Sequence, residues 1–432
     1  MKTLLTPIFR SFYIPLVLFF YLILLYPFKK SYKKRLVKAL EQCGPVFIKC
    51  GQSISLKPYL FSKETIEACS NLQDKVSPVK INLKHELGAY FEDFIFESTK
   101  PIASGSIACV FKAKLQTGEN VAVKILRPNA SQLIIADVYL LKVASIILEF
   151  IPVFKRLKIK AIVKNIEETL LQEINFKQEE ENLLKIKANS MKIHEKIRTP
   201  KIFRKFTECN LLVTEFVTGF PLSNLEAIQK AGLSRRKIAK NLIEIYLEQV
   251  YEDGFFHADF HPGNLFVNQN YQITLIDFGI VSTISYKDRI VIAKILNGFL
   301  LKDYNQVLKA HIEGNYITET ADLKAFKIDL EKIGDAFIHS RNIKQFSISG
   351  ILMELFRIME NYKIEVKEDL LLLYKTIFFV EAVVLKLEPE YNIWDTIKPW
   401  MEKWKDRNLS VKAEIKRKII SFIECLTNFY KL

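Results

Sequence analysis

Glycine and proline are scarce in this chain, 14 of each among 432 residues. No Gly/Ser-rich or Pro-rich linker divides it, and no internal repeat or low-complexity tract appears. That argues against loosely tethered modules and for lobes that pack continuously. Six cysteines are present, Cys43, Cys50, Cys69, Cys109, Cys209 and Cys425, and none forms a C-x-x-C pair. A disulfide framework and a cysteine zinc site are thereby disfavoured, and reduced thiols in a reducing compartment are expected. The formal net charge is +15, yet the basic residues are spread along amphipathic stretches. With no compact basic tract, zinc finger or RNP signature, no nucleic-acid partner is expected. No flavin fingerprint or redox metal cluster is present to carry out a hydroxylation.

What is there fits a globular protein: 49% apolar and 26% charged residues, long enough for two to four domain-sized units. Phe12–Phe28 (FYIPLVLFFYLILLYPF) is uncharged, and twelve of its 17 residues are Leu, Ile, Val or Phe. As a helix it would reach roughly 26 Å, just under the ~30 Å hydrocarbon core. Lys29, Lys30, Lys33, Lys34, Arg35 and Lys38 follow at once, where a signal peptide would have a small-residue cleavage site. The leading expectation is a spanning anchor with the rest of the chain cytoplasmic. An interfacial or re-entrant anchor and a buried core helix are the alternatives. Pro15 and Pro27 are expected near the helix ends, where they are best tolerated. A second stretch, Val411–Tyr430, mixes lysines with isoleucine and phenylalanine and reads as a basic surface helix or a packed one.

Ile107–Leu115 and Asn120–Leu126 are β-prone runs around Gln116–Glu119, which reads as a hairpin. Before it lies the small-residue loop Ala103, Ser104, Gly105 and Ser106, where backbone N–H groups could approach phosphates; a plain tight turn is the alternative. Lys124, inside V-A-V-K-I-L, matches a lysine that meets the α- and β-phosphates. Such a lysine needs a carboxylate partner to stay charged. Glu179 is the candidate, although Glu180 and Glu181 beside it read as a solvated acidic face. Downstream, Phe255–Val267 (FFHADFHPGNLFV) and Thr274–Val281 (TLIDFGIV) hold Asp259, Asn264 and Asp277. Phosphoryl transfer needs a group that orients the nucleophile and oxygen ligands that hold Mg²⁺. Asp259 fits the first role, Asn264 and Asp277 the second. A zinc site at His257 and His261 is the rival, weakened by Pro262-Gly263 and by the lack of an H-E-x-x-H glutamate; otherwise these histidines fix the loop by hydrogen bonding.

At this point the sequence resembles the UbiB family of atypical, protein-kinase-like proteins tied to ubiquinone (coenzyme Q) biosynthesis, from about residue 40 to about 400. Gly44–Gln52 (GPVFIKCGQ) with Leu72–Pro78 resembles the family's K-x-G-Q extension. The resemblance implies that Lys49 and Gln52 belong to a helical extension lying over the active site. Ile102–Val110 resembles the family's alanine-rich loop, with Gly105 where alanine is usual, which leaves ATP or ADP open as the preferred nucleotide. Glu173-Ile174-Asn175 resembles its E-x-D motif, with Glu173 pairing Lys49 and asparagine replacing the aspartate. Leu211–Pro221 resembles the interlobe hinge, placing Glu215 and Val217 beside the adenine. Phe260 stands where the family's H-A-D-P-H-P-G-N has proline.

The resemblance implies an α+β, protein-kinase-like two-lobe fold: a membrane anchor (1–30), the helical extension covering the cleft (31–85), an N-lobe with a small antiparallel sheet (86–220), and a helical C-lobe (221–432). Leu370–Leu387, with Lys375 and Glu381 inside it, reads as a buried helix. The expected function is a membrane-bound Mg-nucleotide ATPase or atypical kinase of the bacterial inner membrane. Membrane lipids and quinone precursors are its expected partners, with ubiquinone-biosynthesis enzymes as further candidates; oligomeric state, a dimer included, stays open. A small-molecule or lipid phosphotransferase and a non-catalytic, nucleotide-switched scaffold are the competing functions.

Overall fold

The computed structural model describes residues 2–24, 32–55, 62–70, 72, 81–151, 159–317, 322–339, 348–362, 364 and 368–410. The expectations for Lys29 and Lys30, most of Leu72–Pro78, Pro27, Cys425 and Val411–Tyr430 lie outside the described residues. The chain divides into two compact units. Unit 1 is Met1–Lys185, Thr199–Thr218 and Ile276–Ile280; unit 2 is Ile186–Arg198, Gly219–Leu275 and Val281–Leu432.

Unit 1 holds an antiparallel sheet of β1 (Phe94–Phe96), β2 (Ala103–Ser104), β3 (Ala108–Leu115), β4 (Asn120–Leu126) and β6 (Leu211–Glu215), in the order β1-β3-β4-β6 with β2 also on β3. Period-two alternation sets its faces. Cys109, Phe111 and Ala113 of β3 and Val121, Val123 and Ile125 of β4 are buried in one core with Leu87, Phe94 and Val213. Lys124 and its neighbour across the ladder, Val110, therefore fall on the opposite face. The expected hairpin forms as read, with Gly118 at φ +104° in its turn.

The helices of unit 1 are α1 (Lys2–Leu18), α2 (Tyr32–Cys43), α3 (Pro45–Ser55), α4 (Lys63–Ser70), α5 (Leu83–Leu87), α6 (Ala130–Leu148), α7 (Ile159–Glu173) and the greater part of α8 (Phe176–Asn189), whose last turn is assigned to unit 2. Gly44, at φ +102°, makes the turn between α2 and α3. Gly51 lets α3 sit close to its neighbours: a Cβ there would collide with Leu72 Cδ1 and stand 3.0 Å from Leu40 Cδ1. The glycine of the K-x-G-Q motif is thus a packing requirement.

The amino-terminal helix differs from expectation. It begins at Lys2 rather than Phe12, and it continues past Leu18 as a π-helical turn, Phe19–Leu24. Pro15 lies inside it, not at an end. One face packs on the protein: Ile14 is buried, with Tyr13, Val17 and Leu18 against the same core as Ile134 and Val138 of α6. Arg10 donates to both carboxylate oxygens of Asp137 in α6, with Nε 2.6 Å from Oδ1, and also to the Cys43 carbonyl. Neither α6 nor this buried ion pair stands out in the sequence reading. By length and composition α6 is the one described helix able to cross a membrane, yet only 28% of it is buried.

Unit 2 has a sheet of β5 (Ile197–Arg198), β10 (Ile273–Leu275), β9 (Leu265–Val267) and β7 (Phe220–Pro221) in that order, β5 parallel to β10 and the rest antiparallel. β8 (Phe255–His257) pairs with β11 (Val281–Thr283). Its helices are α9 (Leu225–Lys230), α10 (Arg235–Leu247), α11 (Tyr286–Leu301), α12 (Tyr304–Glu313), α13 (Leu323–His339), α14 (Ile348–Asn361), α15 (Glu368–Leu387) and α16 (Trp394–Asn408). Asn224, Ser234, Ser285 and Asp303 cap α9, α10, α11 and α12 by accepting from an N–H of the first turn. Helix α15 is the buried helix expected. Its Glu381 is itself buried and accepts from Ile348 N at 2.7 Å and Ser349 N at 2.9 Å, satisfying the amino end of α14.

Candidate functional site

The candidate residues fall into two sets, one in each unit. In unit 1, Lys124 Nζ lies 2.9 and 2.8 Å from the two oxygens of Glu179 and 2.9 Å from Asp277 Oδ1. The strand presents the lysine, and Glu179 comes from the first turn of α8, where backbone N–H groups favour a carboxylate. Phe176, one residue into the same helix, offers its ring face to the ammonium at 5.2 Å. Asn175 Oδ1 accepts from Lys177 N at 3.2 Å at the start of α8. Asparagine here makes a local turn contact that needs no charge.

The D-F-G segment is fixed to the same helix. Asn182 donates to the Phe278 carbonyl at 3.0 Å, a contact with no signal in the sequence. Asp277 has φ +63°, a left-handed conformation that aspartate tolerates better than most residues and that recurs at functional sites. A Cβ on Gly279 would sit 3.3 Å from Asp277 Oδ1, so glycine keeps room beside the carboxylates.

One lysine thus serves two carboxylates, which leaves the trio one negative charge in excess when both are ionised. Burial opposes the charged form of Lys124, but Asp277 and Glu179 outweigh it and hold its pKa above the ordinary lysine value. Burial pushes Glu179 up to about 7, Lys124 opposes this and Asp277 adds to it. An excess negative charge on hard oxygens, with the Asp277 side chain half exposed, suits a divalent cation such as Mg²⁺.

Two expectations need revision. Ala103–Ser106 is not an open loop: Ala103 and Ser104 form β2, and the Gly105 N–H is already donated to the Ala108 carbonyl at 2.8 Å. Ser104 Oγ accepts from Arg127 at 2.8 Å, and Ser106 follows in the turn. The pairing of β2 with β3 accounts for the difference. Glu180 is not part of a solvated face; it is buried between Lys177 and Arg204, while Glu181 is exposed. The helical register divides these neighbours. The Lys49–Glu173 ion pair forms between α3 and the last residue of α7, with Gln52 one turn beyond Lys49 in α3. Glu215 ends β6 and exchanges backbone and side-chain contacts with Lys201; Val217 follows, half-buried.

In unit 2, Asp259 and Asn264 lie between β8 and β9. Asn264 Nδ2 donates to Asp259 Oδ2 at 2.8 Å, which fixes the amide and turns its own oxygen away from Asp259. Asp259 N donates to His257 Nδ1 at 3.1 Å, and Gly263 N to His261 Nδ1, also at 3.1 Å. Each histidine thereby spends a ring nitrogen on holding the loop. His257 ends a strand rather than sharing a helix face with His261. No cluster able to hold a metal through three His, Cys, Asp or Glu side chains occurs among the described residues, so the zinc reading has no support. Phe260, which stands where proline was expected, is fully buried and packs edge-on against Tyr246 and His257. Cys43, Cys50, Cys69, Cys109 and Cys209 are free thiols. Burial pushes Cys43 and Cys69 up to about 11 and Cys50 up to about 12.

The fold and these residues define an atypical kinase-like protein, and the comparisons agree. Residues 70–311 match the ABC1 atypical kinase-like domain and residues 330–392 the UbiB helical domain. The chain is 32% identical to a probable protein kinase UbiB of Vibrio cholerae, over 89% of this chain and 72% of the relative, and 32% identical to one of Aliivibrio fischeri, over 90% and 73%. Among solved structures, the complex of Rv3197 with erythromycin from Mycobacterium tuberculosis has a TM-score of 0.53 at 20% identity, covering 84% of this chain and 94% of that one, a likeness of fold. The chain belongs to the UbiB family of ABC1 atypical kinase-like proteins.

Proposed function

We propose that the protein is a membrane-associated ATPase or atypical kinase that binds Mg-nucleotide and supports ubiquinone biosynthesis by coupling nucleotide turnover to the handling of lipid quinone precursors. The observation that carries this reading is Lys124 held between Glu179 and Asp277. In this role Lys124 binds the α- and β-phosphates, Asp277 and Asn264 supply oxygens to Mg²⁺, and Asp259 orients the attacking nucleophile. Mg²⁺ would neutralise the charge that develops on the phosphoryl oxygens. The Gly105 N–H is engaged within its own turn, which leaves Ser106 as a candidate for phosphate contact. The Lys49–Glu173 pair anchors the K-x-G-Q helix, consistent with an extension that restricts access of protein substrates.

Membrane association is supported by unit 1. The outward face of α1 and its π turn carries Phe9, Phe12, Leu16 and Phe19, and the outward face of α6 carries Ile135, Tyr139, Ile146 and Ile147, all exposed. These residues recur at helical spacing on two helices that touch. Two such stripes suit a protein lying in the interface, its other faces bound to the core.

The decisive experiment uses the full chain in lipid nanodiscs and a fluorescent ATP analogue. Mg²⁺-dependent binding is expected, and Asp277→Asn should weaken it by a hundredfold or more. Retained Mg²⁺-dependent binding in that variant would sink the site assignment. The competing phosphotransferase reading would gain if radiolabelled phosphate from ATP appeared on an added lipid or quinone precursor rather than as free phosphate.

A further inference from the structure

Two side chains of α8, one helical turn apart and so on one face, take hold of the same residue of the D-F-G segment. The Glu179 carboxylate accepts from the Phe278 backbone N–H. The Asn182 side chain donates to the Phe278 carbonyl at 3.0 Å. Glu179, Asn182 and Phe278 are all buried. Water therefore competes poorly for these groups, and a donor taken away from the carbonyl is not readily replaced.

The Asn182 amide is itself oriented. Gln178, one turn earlier in α8, donates its Nε2 to Asn182 Oδ1 at 3.3 Å and to Glu181 Oε2 at 3.3 Å. With the amide oxygen engaged by a donor, the amide nitrogen is the atom that faces Phe278.

The residue just before this peptide is Asp277, at φ +63°. The left-handed region is uphill for a residue that carries a Cβ, and it persists where surrounding contacts over-determine it. Lys124 Nζ and the Gly279 N–H act on the Asp277 carboxylate, at 2.9 and 3.4 Å from Oδ1. Those contacts reward the turn only after the backbone has made it. Asn182 acts on the backbone itself, one residue further on. Without that tie Asp277 can return to a negative φ, and its carboxylate is redirected because the direction of the side chain follows the backbone angle.

We propose that Asn182 is a positioning residue: it holds Asp277 in the turn that aims the carboxylate at Lys124 and, with Mg-nucleotide bound, at the cation. Gln178 supports it by fixing the amide. The part that concerns the cation rests on the nucleotide reading above; the part that concerns the turn does not.

The test uses the full chain in lipid nanodiscs with a fluorescent ATP analogue, titrated with Mg²⁺. Asn182→Leu keeps the approximate shape of the side chain and removes the donor. Loss of a group that orients a metal-ligating side chain costs about 10- to 100-fold in metal affinity, and half-saturating Mg²⁺ should rise by that factor. Binding of the analogue without Mg²⁺ should not change. Gln178→Leu, which releases only the amide oxygen, should give a smaller rise. Leu183→Ala, at a buried neighbour in α8, loosens the same helix without touching the tie and should leave the Mg²⁺ midpoint at the wild-type value. An unmoved midpoint in Asn182→Leu, or an equal rise in Leu183→Ala, overturns the proposal.

A crystal structure of the nucleotide-free Asn182→Leu chain reads the turn directly. Asp277 should leave the left-handed region, with its carboxylate out of hydrogen-bond reach of Lys124. An Asp277 still in place there overturns the proposal. A wild-type chain that bound no Mg-nucleotide would remove the nucleotide reading, and the crystal structure would still decide the role of Asn182. If Asn182→Leu does not fold, Asn182→Ala, which removes the donor and adds no bulk, takes its place in both measurements.

Discussion

At the scale of the residue, the state of Lys124 is set by two carboxylates, and the less exposed of them, Glu179, bears the strain. Its folded pKa of about 7 lies above the ordinary glutamate value of about 4.5. The folded protein therefore holds a proton at this position that the unfolded chain has lost between about pH 4.5 and 7, and stability falls as pH rises through that window. Glu179→Gln cannot ionise. The difference in unfolding free energy between wild type and this variant should shift against the wild type by up to about 3 kcal/mol across the window, measured by urea unfolding at several pH values. A parallel pair of profiles would show that Lys124 already compensates Glu179 in full. The Lys124–Glu179 pairing was legible because a lysine in an apolar strand demands a carboxylate, and the V-A-x-K context named the lysine. The second claim on Lys124, from Asp277, was not, because it depends on the left-handed turn at that residue. Nor was the burial of Glu180, because three consecutive glutamates look alike until the helix register and Arg204 distinguish them.

At the scale of the element, the amino-terminal helix is defined as much by what pins it as by its apolar run. The run itself was plain in the sequence. Its attachment was not, because Arg10 and Asp137 are far apart in the chain and neither belongs to a motif. Asp137 is 1% exposed, and burial raises its pKa while Arg10 opposes the rise. Removing the cation alone leaves a buried carboxylate without its partner. Arg10→Met should cost about 3–5 kcal/mol, read as a fall in the unfolding midpoint. The double variant Arg10→Met/Asp137→Leu should recover most of it, because an apolar pair replaces an ion pair at little cost once both charges are gone. A double variant no better than the single one would show that the contact to the Cys43 carbonyl, rather than the ion pair, holds α1 in place. Helix α6 escaped notice for a related reason. Asp137 and Lys142 interrupt its apolar run, and only the structure shows that the aspartate faces inward while Ile135, Tyr139 and Ile146 face outward. The K-x-G-Q helix was the more readable element, since one motif supplies both its ion pair through Lys49 and its close packing through Gly51.

At the scale of the whole molecule, the proposed membrane association would draw on a net charge of +15 and on two outward apolar stripes, and salt would separate their contributions. Charge attraction is screened within about 10 Å at 0.1 M salt and about 3 Å at 1 M, whereas burial of apolar surface is not weakened by salt in this way. In vesicle flotation the full chain should bind anionic vesicles more strongly than neutral ones at low salt, and the two should converge at 1 M without falling to zero. The variant Phe12→Asp/Ile147→Asp removes two exposed aromatic or aliphatic contacts, each worth on the order of 1 kcal/mol or more when buried, and asks two carboxylates to enter the interface. Its binding to neutral vesicles should fall by at least tenfold, while Lys124, Glu179 and Asp277, which lie on other elements, keep Mg-nucleotide binding intact. Anchoring by α1 alone predicts a different outcome: Ile147→Asp alone would have no effect, because α6 would take no part. The response to that one substitution separates a chain anchored by α1 alone from one that uses both helices.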